Sequence, residues 1–126
     1  MKTLFITGHR KSGTTMLASL FDDHNDFAVY PTDLSLMYAY YPFFNNSKYS
    51  YQKKINRIKK ILKLSLQKNL NYRIKKESIN IERFVSSFLS GINKKNINNI
   101  KSLIELLKIK FNIFYNIKKK KYFVLK

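Results

Sequence analysis

Leu4, Phe5 and Ile6 form a short unbroken apolar run that ends before Gly8, the pattern of a strand buried on both faces of a parallel sheet. A loop from Gly8 to Ser12 follows. The stretch from Gly13 to Phe21 then sets Met16, Leu17, Leu20 and Phe21 on one helical face. The polar cluster Asp22 to Asp26 closes that helix, and Phe27 to Tyr30 reads as a brief extended segment stopped by Pro31. Leu34 to Tyr41 reads as a short helix ending at Pro42.

Further along, Tyr51, Ile55, Ile58, Leu62 and Leu66 recur at three- and four-residue intervals with lysines between them, which predicts an amphipathic helix from Tyr51 to about Leu70. Asn80 is placed to cap a helix from Ile81 to Leu89 that stops at Gly91, with Glu82 in the first turn, where the helix dipole favours an anion. Asn96 is expected to cap another, with Ile100, Ile104, Leu107, Phe111 and Phe114 along its buried stripe. Tyr122 to Leu125 is a second core strand. The whole divides into residues 1–33 (strand, loop, helix), a helical region 34–117, and the strand at 121–126.

The 126 residues suit one domain or part of one, and 44% hydrophobic and 15% aromatic residues are enough to build a core. There is no cysteine, so disulfides, thiolate metal sites and a catalytic thiol are excluded; with only His9 and His24, a structural zinc site is disfavoured. No apolar run approaches the roughly 18 residues of a membrane span. The apolar opening is too short for a signal-peptide core before Gly8, so a cytoplasmic location is expected.

Charge is distributed unevenly. Residues 1–45 hold three basic and four acidic side chains, net −1, whereas residues 46–126 hold 22 and three, net +19. The lysines travel with 14 Ile and 13 Asn, residues with A+T-rich codons, so genome composition accounts for much of the excess. Their interleaving with an apolar stripe marks a solvated outer face rather than a nucleic-acid surface; contact with an anionic membrane surface stays open.

Gly8-His9-Arg10-Lys11-Ser12-Gly13-Thr14-Thr15 has the spacing of a nucleotide phosphate loop, with Thr14 where such loops carry lysine and a cation three positions earlier, at Lys11. The backbone N–H groups of Ser12 to Thr15 would converge at a helix N-terminus, where unsatisfied donors and the dipole favour an anion. Without the lysine that reaches the outer phosphates, metal-assisted NTP hydrolysis is disfavoured.

Lys11-Ser12-Gly13-Thr14-Thr15, after a strand and before a helix, resembles the 5′-phosphosulfate loop of sulfotransferases that use 3′-phosphoadenylyl sulfate (PAPS). The wider stretch Phe5 to Pro42, with His24 and Tyr30-Pro31-Thr32-Asp33, is similar to bacterial and carbohydrate members. The resemblance covers about a third of the chain. It implies a P-loop-type three-layer α/β fold with a parallel sheet, here carrying a helical insertion and truncated after the second core strand, and metal-free transfer of a sulfonate group to a hydroxyl or amine.

On that resemblance Arg10, Lys11, Ser12, Gly13, Thr14 and Thr15 hold the donor, with Lys11 as the catalytic cation and Asp33 in the place of a general base. Arg10 is equally readable as an exposed or acid-paired side chain, and Asp33 as an N-cap for the helix at Leu34. His24 is chemically able to act as a base but stands in a helix-ending turn, where a structural hydrogen bond is the simpler role. Tyr38, Tyr40, Tyr41, Phe43 and Phe44 are candidates for an acceptor cleft or for core packing.

The acceptor is a small molecule or carbohydrate. The donor's 3′-phosphate clamp, an Arg and a Ser in the family, would follow Lys126, so the 126 residues alone are expected to be weakly active or inactive. The competing reading is a basic helical protein that binds nucleic acid or an anionic membrane through its lysines, with an inert loop.

Overall fold

The computed structural model describes residues 1–9, 12–22, 24–31, 48–73, 80–115 and 120–126. These form β1 (Lys2–Phe5), α1 (Thr14–Phe21), β2 (Phe27–Val29), α2 (Tyr51–Arg73), α3 (Ile81–Ser90), α4 (Ile100–Tyr115) and β3 (Tyr122–Leu125). The chain is a mixed α/β protein around a small parallel sheet of order β1-β3-β2. Lys2 to Phe5 pair in register with Tyr122 to Leu125, and Phe27 to Val29 with Tyr122 to Val124.

The sheet departs from the sequence reading in two ways. Phe27–Val29 is a true strand, so Tyr122–Leu125 is the third strand rather than the second, and it occupies the centre. The doubly covered strand is therefore β3, whose Phe123, Val124 and Leu125 have no exposed surface, whereas β1 lies at an edge with Leu4 and Phe5 exposed. An apolar triplet shows that a segment fits a pleated sheet; its position among its neighbours depends on contacts made by the rest of the chain.

Alternation along the strands assigns each face to a helical layer. Phe123, Leu125, Ala28 and the adjoining Tyr30 join one core with Ile58, Leu62 and Leu66 of α2, Phe84, Val85 and Phe88 of α3, and Leu103, Leu107 and Phe111 of α4. Phe111 stands 5.4 Å from Phe123 and 5.5 Å from Tyr30, ring centre to ring centre. On the opposite face Phe27 stacks on Tyr122 at 5.0 Å and meets Phe21 of α1 at 4.7 Å. Helices thus cover both faces.

Helix α1 seats itself through Ala18, the small residue that lets backbone approach sheet, with Phe21 at its end. The stripe expected to be buried is mostly outside: Met16, Leu17 and Leu20 are exposed. The three described strands give α1 little sheet to cover with a wide apolar face.

Within the helical layer the apolar spacing does what it predicts. Ile58, Leu62 and Leu66 line the buried side of α2 at four-residue steps. Asn80 caps α3, its Oδ1 accepting from the Arg83 N–H at 3.1 Å. Gly91 ends α3 at φ −85°, in the right-handed region; a Cβ there would meet Leu106 Cδ1 at 2.6 Å and oblige that side chain to shift.

The cap of α4 is Asn99 rather than Asn96: Asn99 Oδ1 accepts from Ser102 N–H at 3.2 Å and its carbonyl from Leu103 N–H at 3.1 Å. Asn96 is held back in the preceding turn, accepting from Asn93 N–H and donating to the Gly91 carbonyl.

Candidate functional site

The loop after β1 is shaped by its two glycines. Gly13, immediately before α1, has φ +83°, a left-handed backbone that glycine adopts without strain. Gly8 leaves room for its neighbours: a Cβ there would force the Ser12 hydroxyl to move and stand 2.9 Å from Thr14 Cγ2. The Ser12 N–H donates to the His9 carbonyl at 3.0 Å, folding the loop back on itself.

Helix α1 has no side-chain cap, and its first closing bond runs from Leu17 N–H to the Gly13 carbonyl at 2.9 Å. The first-turn N–H groups of a helix have no intrahelical acceptor and lie at the positive end of its dipole. Ser12, Gly13 and Thr15 are exposed at this end.

The sheet brings a further cation here. Ile6 N–H donates to the Leu125 carbonyl at 2.8 Å, extending the pairing of β1 with β3 to the carboxyl edge of the sheet. Just beyond that edge, Lys126 Nζ donates to Thr15 Oγ1 at 2.8 Å. Sequence reasoning missed Lys126 because it took the last strand as a second core strand without fixing its neighbour. The available signal was topological: a residue following a central parallel strand opens onto the same crevice as the loop following its neighbour.

Among the sequence-predicted site residues, Ser12, Gly13, Thr14 and Thr15 are together at this helix terminus. Arg10, Lys11 and Asp33 lie outside the described residues, as do Tyr38, Tyr40, Tyr41, Phe43 and Phe44 and the expected helix at 34–41. His24 has the structural role of a turn residue. Its Nδ1 accepts from Asp26 N–H at 3.1 Å, its ring meets the edge of Phe27, and its carbonyl accepts from Lys120 Nζ at 2.7 Å.

Lys120 and Lys121, just before β3, are likewise used structurally. Lys121 pairs with Asp26 at 3.1 Å, and the N–H groups of Lys121 and Tyr122 both donate to the Asp26 carbonyl. On the helical layer Lys63 pairs with Glu82, and together with its hydrogen bond and the nearby Lys59 this holds the Glu82 carboxyl below the usual carboxylate range.

No described helix is long and apolar enough to cross a membrane. Comparison of the chain with family models, with curated proteins and with solved structures finds no match.

Proposed function

We propose that this chain carries the donor-binding segment of a PAPS-dependent sulfotransferase with a P-loop-type α/β fold, acting in the cytoplasm on a hydroxyl or amine acceptor such as a carbohydrate. One observation supports this reading most directly. A strand, a two-glycine loop and a helix N-terminus present backbone donors at the carboxyl edge of a parallel sheet, with the Lys126 ammonium on Thr15 beside them.

In this proposal the N–H groups of Ser12 to Thr15 hold the 5′-phosphosulfate, with Arg10 and Lys126 adding positive charge. The acceptor oxygen or nitrogen bonds to sulfur as the bond from sulfur to the phosphate oxygen breaks. Lys11 stabilises the charge that develops on that departing oxygen, and preorganised donors at such a point lower a barrier most effectively. Asp33 takes the acceptor's proton.

Calorimetric titration of the protein with PAPS tests the proposal. Saturable binding that Lys11→Ala and Gly13→Ala abolish is the expected result. Binding that survives both changes, or no binding by a longer chain that carries the 3′-phosphate clamp, sinks it. Charge removal at Lys59, Lys60 and Lys63 is expected to leave donor binding unchanged; salt-sensitive loss of nucleic-acid binding in that variant alone would point instead to a basic binding protein.

A further inference from the structure

The helical layer carries a cationic crest away from the loop. Ile58, Leu62 and Leu66 are the buried side of α2, so the residues on the opposite side of that helix point outward. Lys53, Lys60 and Leu64 follow one another there at seven- and four-residue steps, and all three are exposed. At about 1.5 Å of rise per residue, the line they form is roughly 16 Å long. Arg57 lies on the same line and is already engaged within the chain.

Two more ammonium groups extend the line at its amino end. Tyr51 Oη donates to the Ile92 carbonyl at 3.2 Å, and the buried Lys54 donates to Asn98 Oδ1 at 2.9 Å, so the turn from Ile92 to Asn98 is tied to the first turn of α2. Within that turn Lys94 and Lys95 are exposed. Helix α2 contains no acidic residue. Among the described residues of the layer, Glu82 is bound by Lys63 and Glu105 by Lys108, so neither carboxylate is left to neutralise the crest.

We infer that this crest is a docking surface for an anionic phospholipid membrane, on which the protein lies peripherally. Charge complementarity argues for it. Composition sets how many lysines the chain has, but the fold gathers Lys53, Lys60, Lys94 and Lys95 along one side of the helical layer. Residues 1–45, which supply β1, α1 and β2, carry net −1. The charge is therefore polarised between the helical layer and the strands, and an anionic surface would orient the molecule crest first.

Leu64 separates a membrane from a nucleic acid as the partner. It is 46% exposed and stands one turn from Lys60. Against a phosphate backbone a leucine gains nothing. At the boundary of headgroups and acyl chains it gains apolar contact, while lysines beside it keep their ammonium groups among the headgroups. No described helix is long and apolar enough to cross the bilayer, so the contact is superficial.

The test is cosedimentation of the full chain with vesicles of phosphatidylserine and phosphatidylcholine in equal parts, and with vesicles of phosphatidylcholine alone. Binding to the first that fades as salt is raised, and none to the second, is expected. Lys53→Gln with Lys60→Gln should weaken it roughly twentyfold, about fivefold for each lysine at a charged surface. Lys2→Gln with Lys110→Gln removes the same charge away from the crest and should weaken it far less. Leu64→Ser should weaken vesicle binding and leave its salt dependence unchanged. A melting curve for each variant separates lost docking from a lost fold. Binding to neither vesicle or equally to both, equal losses in the two lysine pairs, or an unaffected Leu64→Ser variant would overturn the inference. Tighter binding to duplex RNA through Lys53 and Lys60 would overturn it as well. The inference stands independently of what the loop binds: failure of PAPS binding with vesicle binding intact removes the sulfotransferase reading alone.

Discussion

The ammonium of Lys126 donates to Thr15 Oγ1 at 2.8 Å across 111 residues of chain, joining the carboxyl end of the central strand to the first turn of α1. A side chain remote in sequence thereby reaches the same helix terminus as the loop glycines. Replacing Lys126 with Met should reduce the affinity of the loop for inorganic sulfate or PAPS by roughly tenfold, the scale of one charged hydrogen bond. The contact is exposed, so the thermal midpoint should hardly move. Calorimetry and a melting curve on the same sample separate the two effects.

The loop glycines should fail in different ways. At Gly13 a Cβ meets nothing within 4 Å, so Gly13→Ala costs only its left-handed backbone, roughly 1–2 kcal/mol. At Gly8 the obstacle is the Ser12 side chain together with Thr14 Cγ2. Gly8→Ala should therefore be partly rescued by Ser12→Gly, whereas Gly13→Ala should not. Urea denaturation of the single and double variants checks this coupling.

Two phenylalanines on the sheet offer a contrast. Phe123, fully enclosed between α4 and the strands, should cost about 3–5 kcal/mol on truncation to alanine. Phe5 pairs with Leu125 on the edge strand but is 55% exposed, so Phe5→Ala should cost far less. Equal losses in chemical unfolding would mean that β1 is not an edge.

Acidification should act through Glu82. Its pKa is lowered in the folded chain by the hydrogen bond and charge of Lys63. The associated stability is thus present above the ordinary glutamate pKa and fades as pH falls through the lowered one. The pair is exposed, so the effect is small and weakens further with salt. Glu82→Gln should flatten the acid limb of a stability-against-pH curve at low ionic strength and leave the neutral region little changed.

Local structure was the most legible part of the sequence. The four-residue step of Ile58, Leu62 and Leu66 and the Asn80 cap are set by interactions within a turn or two of helix, and both are present. The start of α4 was less certain because an asparagine-rich turn offers several caps: Asn96 is captured by Asn93 and Gly91, and Asn99 takes the helix.

Strand order was not legible. Three apolar residues at Phe27–Val29 are too few to announce a core strand, and nothing local in Tyr122–Leu125 says that it will lie between two others. The same gap concealed Lys126, whose position depends entirely on β3 being beside β1. For the loop, spacing placed Ser12 to Thr15 at a helix terminus, as the structure does.

The sheet's middle strand comes last in sequence of the three described strands, and neither β1 nor β2 hydrogen-bonds to the other. Neither can complete its pairing in this sheet until Tyr122–Leu125 has been translated. Joining β1 to β3 closes a loop of more than a hundred residues, an entropic cost paid before the contacts return anything. The α2–α4 hairpins, built from nearer neighbours, have time to assemble first and offer the late strand a prepared wall. Joining of the three described strands should then be a slow step of folding, later than assembly of the helical layer.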